Sequence, residues 1–161
     1  MKTSDTGRHA DTPRGTASRQ GGTYALLLYL GRPTELEVGR MGRFSFPKGY
    51  YVYLGSAMNG LKGRLARHMG APKSLHWHID YLAAHAELVE LWWQPGDEKL
   101  ECPWAALASR APDATLPVAG FGSSDCSCLS HLVYFPYRPS AKILELENIS
   151  TLKISHLVHL Q

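Results

Sequence analysis

The stretch GYYVYLGSAMNGLKGRLARH, residues 49–68, decides how the chain is expected to fold. GYYVYLGS (49–56) follows Pro47, is rich in tyrosine and ends on a Gly-Ser pair, which is the composition of a strand closed by a turn. Then the period changes. In GLKGRLARHM (60–69) Leu61, Leu65 and Met69 recur every four positions and share one helical face, while Lys62 and Arg67 point elsewhere. Arg64 and His68 are also four apart, so they lie one turn from each other, where a convergent pair approaches a single ligand.

Upstream of this unit, TYALLLYL (23–30) is a short apolar run with glycine on either side and reads as a buried central strand. ELEVG (35–39) and RFSF (43–46) alternate in character around a glycine-containing connection and, with 49–56, predict a compact antiparallel arrangement. Downstream, HWHIDYLAAHA (76–86) reads as a second helix with Ile79, Leu82 and Ala83 turned inward, and alternation at its start sends His76 and His78 in different directions. AELVELWWQ (86–94) reads as a strand that stops at Pro95-Gly96. LECPWAALASR (100–110) is a third helix, in which Pro103 is tolerated only in the first turn, so Glu101 falls at the helix start. GFGSSDCSC (120–128) is a loop by composition, and HLVYFPY (131–137) a final strand ending near Pro136. The predicted fold is α+β, a small central antiparallel sheet flanked by helices, over residues 22–139. Residues 1–21 lack the apolar content to offset ordering entropy and read as a disordered leader. Residues 140–161 return to apolar periodicity without a turn signal, and as a C-terminal tail they receive no structural assignment.

The 161 residues suit one domain with one core. The longest apolar run, Ala25 to Leu30, is far below the ~18 residues of a spanning helix, and the polar N-terminus has no apolar core of a signal peptide, so no membrane partner and a cytoplasmic location are expected. Three cysteines are too few for a secreted disulfide framework. Net charge is only +3, but its distribution is uneven. Seven Lys and Arg residues and no acid occupy Arg40 to Lys73, whereas Asp80 to Glu101 holds six acids and one Lys. Such a segment is either a solvated basic face or a surface for a polyanion.

GTY at 22–24 and YLG at 53–55, followed by GLKGRLARH, resemble the GIY-YIG nuclease superfamily. HWHIDYL (76–82) and GFGSSDCSC with His131 look more specifically like its Uri or DUF123 subgroup of small proteins. The resemblance covers residues 22–137. It implies a divalent-metal-dependent endonuclease that hydrolyses phosphodiester bonds in DNA, with two strand tyrosines, a helical arginine and histidine, and a later helical glutamate around one cation. Carried over, these are Tyr24, Tyr53, Arg64, His68 and Glu101. Glu101 then anchors Mg²⁺ or Mn²⁺, which keeps most of its waters and takes phosphate oxygens as further ligands. Arg64 is the phosphate clamp, because a guanidinium fork matches phosphate oxygens where a lysine offers a point charge. Tyr24 is the base, once cation and cationic neighbours lower its ordinary pKa of about 10. Tyr53 and His68 orient water and phosphate. Thr23 stands in place of the motif's isoleucine, and the family's frequent late asparagine has no counterpart.

Arg40, Arg43, Lys48, Lys62, Arg67, Lys73, His76 and His78 are the expected nucleic-acid contacts. Tyr50 or Trp77 stacking on unpaired bases would favour single-stranded or distorted DNA. Cys102, Cys126, Cys128 and His131 form a separate constellation, read either as a structural zinc site or as buried reduced thiols. The competing functions are a non-catalytic nucleic-acid-binding module of the same fold and a zinc-stabilised interaction domain.

Overall fold

The computed structural model of the protein describes residues 19–70 and 74–154. The leader reading for residues 1–21 falls almost wholly outside the described residues, as do Lys73 and the last seven positions of the tail.

Strand β1 (Gly22–Leu30) is buried along nearly its whole length, as a glycine-bounded run of apolar residues requires, and it lies at the centre of the sheet. The strands that follow are β2 (Thr34–Glu37), β3 (Arg43–Phe46) and β4 (Gly49–Ala57). Helix α1 (Leu61–Met69), helix α2 (His78–Ala83), strand β5 (Glu87–Pro95), helix α3 (Glu101–Ser109), strand β6 (Leu132–Phe135) and strand β7 (Ser150–Lys153) complete the fold. The main sheet has the order β6-β4-β1-β5-β7 and every pairing in it is antiparallel. This is the predicted α+β architecture with a small sheet between helices.

Period-two alternation assigns opposite faces of β1 and β4 to two separate cores. Tyr24, Leu26, Leu28, Tyr51 and Tyr53 pack with Leu61, Leu65, Ile79 and Leu82 from α1 and α2. Ala25, Leu27, Val52, Leu54 and Trp92 pack with Trp104, Ala105 and Ala108 from α3. The short strands β2 and β3 pair only with each other, as a two-stranded ribbon whose Leu36 and Phe46 join the first core, and not with β4 as the compact early arrangement predicts. Pro103 is the third residue of α3 and sits in its first turn, where its missing amide proton leaves no helical bond unmade. Beyond Pro139 the chain continues into the same fold: β7 pairs with β5 from Glu90↔Lys153 to Trp93↔Ser150.

Candidate functional site

The cleft arises where β6 runs out. β6 pairs with β4 from Tyr50 to Tyr53, one further bond joins the Leu54 amide to the His131 carbonyl, and from Gly55 onward the outer edge of β4 lines open space. Side chains from both faces of the sheet meet around this edge. The cleft is about 500 Å³ and is lined by Tyr24, Tyr53, Ser56, Arg64, His76, His78 and Glu101, among others.

Tyr24 and Tyr53 come from the first face, with ring centroids 6.4 Å apart. The Tyr24 hydroxyl is hydrogen-bonded to His68 Nε2 at 2.9 Å, so the predicted sharing of one helical face by Arg64 and His68 brings both to this phenol. Burial raises the Tyr24 pKa, against the hydrogen bond from Arg64 and the charges of Arg64 and Arg67. Burial likewise raises Tyr53, with Tyr24 adding to it. His68 is depressed to about 4, first by burial and then by Arg67, so its imidazole is neutral at pH 7.

Glu101 reaches the cleft from the opposite face. A Ser56 hydroxyl donates to its Oε2. The helix start that carries it is held by Thr23, whose Oγ1 accepts from the Leu100 amide at 3.0 Å and lies 3.2 Å from Ser56 Oγ. Thr23 therefore does more than pack in place of an isoleucine: its hydroxyl joins β1, β4 and α3 at the carboxylate. Glu87 and Glu90 do not line the cleft; Glu90 is buried and paired with Arg138 at 3.3 Å.

Arg64 stacks on Trp77 with 4.3 Å between Cζ and the ring centroid, and Arg67 does the same at 4.1 Å. Arg67 also makes a two-pronged ion pair with Asp80, both contacts 2.9 Å. Asp80 closes this unit. Its Oδ2 also accepts from the amides of His76 and Trp77, each at 2.8 Å. Burial alone would raise the Asp80 carboxyl, but these bonds from Arg67, Trp77 and His76 bring it below the usual carboxylate range. Trp77 is extended and caps α2, so only His78 is helical, and both His76 and His78 line the cleft in place of the expected divergence. His78 Nδ1 accepts from the Gly122 amide at 2.9 Å, and burial lowers its pKa.

Among the described residues the other lysines and arginines expected to contact nucleic acid stand apart from the cleft, whereas Lys99, which the sequence reading did not single out, lines it. Lys62 borders a neighbouring groove, Arg43 is exposed and paired with Glu35 at 3.2 Å, and Arg40 and Lys48 lie in exposed connections. Tyr50 packs against Tyr29 at 4.9 Å between centroids, and Trp77 is occupied by the two guanidinium groups. No asparagine lines the cleft among the described residues.

At the far wall, Cys102, Cys126, Cys128 and His131 bring their donor atoms within 4.8 Å of one another, a group that can hold a metal ion such as zinc. Burial, then hydrogen bonds with Cys128 and Cys126, push the free Cys102 thiol up to about 12, and burial raises Cys128 as well.

A five-stranded antiparallel sheet with helices on both faces, a phenol pair, a guanidinium and a carboxylate around one strand edge, and a thiol-imidazole cluster beside them define a small α+β protein with a polar cleft. The chain belongs to the family described as "Domain of unknown function DUF123", which matches residues 23–153. No curated protein and no solved structure matches it. Among the described residues no helix is long and apolar enough to cross a membrane.

Proposed function

We propose that the chain is a divalent-metal-dependent endonuclease with a GIY-YIG-type site, hydrolysing phosphodiester bonds in DNA. One observation carries this reading: Tyr24, Tyr53, Arg64 and Glu101, from four elements and both faces of the sheet, line a single cleft.

The donor set suits a hard divalent cation. Glu101 is a carboxylate of the cleft held at the edge of β4, its Oε2 already oriented by Ser56, and Mg²⁺ or Mn²⁺ held by a single carboxylate keeps open positions for water and phosphate oxygens. When bound, the cation supplies charge neutralisation at the phosphate and acidifies nearby hydroxyls. The protein's own groups do the rest. Arg64, fixed over Trp77, presents a permanent charge to the phosphate oxygens as negative charge grows on the pentavalent phosphorus. As the new P–O bond forms, the attacking water would give its proton to the Tyr24 oxygen while the Tyr24 hydroxyl proton moves on to neutral His68 Nε2, so no free phenolate is formed. As the ester P–O bond breaks, the leaving oxygen would take a proton from solvent, to which His68 returns its own. Tyr53 orients the water at the floor of the cleft.

Plasmid duplex and single-stranded oligonucleotides incubated with Mg²⁺ or Mn²⁺ test this. The wild type is expected to cut, and Arg64→Ala and Glu101→Ala to lose about 100-fold or more in rate, the loss expected when a group stabilising transition-state charge is removed. Binding without cutting by the wild type overturns the assignment in favour of a non-catalytic nucleic-acid-binding module. Loss of cutting in Glu90→Ala but not in Glu101→Ala overturns the choice of cation anchor.

A further inference from the structure

The second constellation lies across the cleft from Arg64 and is not used by the chemistry above. Cys102 is the second residue of α3, Cys126 and Cys128 belong to the 120–128 loop, and His131 immediately precedes β6. Two sequence-distant segments, the first turn of α3 and the stretch 126–131, thus deliver four donors to one point. The distances are informative. His131 Nε2 lies 3.5 Å from Cys102 Sγ and 3.4 Å from Cys126 Sγ. A tetrahedral zinc ion with Zn–S of about 2.3 Å and Zn–N of about 2.0 Å has S···N edges of roughly 3.5 Å. The imidazole vertex is fixed before any ion arrives: His131 is 4% exposed, its amide donates to the Phe121 carbonyl, its carbonyl accepts from Leu54, and its ring is hydrogen-bonded to the Gly122 backbone. A ligating histidine ordinarily has such an outer partner on its other nitrogen.

We propose that Cys102, Cys126, Cys128 and His131 bind one Zn²⁺ in a closed tetrahedral site that ties the 120–131 loop to the first turn of α3. Sulfur and imidazole select zinc over the oxygen-seeking Mg²⁺, Mn²⁺ and Ca²⁺, so this site and the Glu101 site are chemically orthogonal. On binding, each thiol releases its proton to solvent and the thiolate enters the coordination shell. All four positions are filled by protein, leaving none for water or substrate, so the zinc holds structure and does no chemistry. The loop it would hold is already pinned by backbone bonds from Gly120 to Leu129 and from His131 to Phe121, and would gain from zinc a cross-link to α3. It contains no helix or strand and turns at Gly120 and Gly122, whose φ of 79° and 69° suit glycine. Gly122 also donates its amide to His78 and packs so near the Tyr53 ring that a Cβ there would stand 2.8 Å from it, so zinc bound here would hold this wall of the cleft in place. Its position next to Glu101 matters for cleavage only insofar as the endonuclease reading holds.

Metal analysis of the full chain, purified under reducing conditions without added zinc, is expected to give about one zinc per chain. Cys128→Ser and Cys102→Ser are expected to lower that content at least tenfold. Co²⁺ added to the chelator-stripped wild type should produce intense thiolate-to-cobalt absorption with a tetrahedral visible band, so the proposal remains testable should the variants fold poorly. Little zinc in the wild type together with three freely reacting thiols, or a disulfide joining any two of the cysteines, overturns it. Zinc content and the cobalt spectrum are read without DNA, so a protein that holds zinc but does not cut separates this proposal from the endonuclease reading.

Discussion

At the scale of single residues, Gly55 shows how little room the cleft leaves. A Cβ there would stand 2.6 Å from both Cζ and the hydroxyl oxygen of Tyr24, because the two residues are cross-strand partners. Gly55→Ala therefore has to push the phenol away from His68. It is expected to lower stability by about 1–3 kcal/mol in urea unfolding, the usual penalty of overpacking, and to reduce cleavage far more than its stability loss explains. Gly63 is the contrasting control: it lies within α1, and a methyl group added there would meet nothing within 4 Å, so Gly63→Ala should raise stability by about 0.5–1 kcal/mol through helix propensity and leave cleavage unchanged. Arg64 and His68 were legible as a pair because a spacing of four sets them on one helical face, whereas Tyr24 and Tyr53 were singled out by the family resemblance and not by local spacing. The parts played by Gly55, Ser56 and Thr23 depend on cross-strand register and on which helix lies over which face. Neither is written in local periodicity.

Among the elements, the start of α3 is the joint on which the Glu101 position depends. Thr23 Oγ1 is the acceptor for the Leu100 amide, one residue before the helix. Thr23→Val keeps the shape and removes the acceptor, so urea unfolding should show a loss of about 1–3 kcal/mol, while Thr23→Ser should recover most of it. Helix existence was readable throughout: α1 and α3 lie within a residue of the positions their patterns predict, and Pro103 indicated correctly where α3 begins. Helix α2 is shorter than its pattern, because the extended Trp77 and the Asp80 bonds to the His76 and Trp77 amides start it only at His78. Strand partners were less readable. The β2–β3 ribbon separates from β4, and β7 finds β5 across more than fifty residues of chain, since pairing is decided by which edge is vacant and not by the strand's own composition.

For the molecule as a whole, buried histidines set the response to acid. Unfolded His68 takes up its proton near pH 6.5, whereas in the fold it does so only at about 4. Between these values the unfolded chain binds more protons, so the stability present above pH 6.5 is lost as pH falls toward 4, by up to roughly 3 kcal/mol for this group. His78, lowered by burial, acts with the same sign, and the depressed Asp80 carboxyl extends the loss below its ordinary range. Urea midpoints at pH 7 and pH 5 measure the effect, and His68→Gln, which can still meet the Tyr24 hydroxyl, should flatten the profile. The sheet also ends in a particular way. β7 is four residues long, exposed throughout, and sets Lys153 opposite Glu90 on β5. A short, charged outermost strand discourages strand addition by other chains. Cutting the chain after Pro139 would bare the backbone of β5 from Glu90 to Trp93, two tryptophans included, and light scattering should then show more self-association than the intact chain gives.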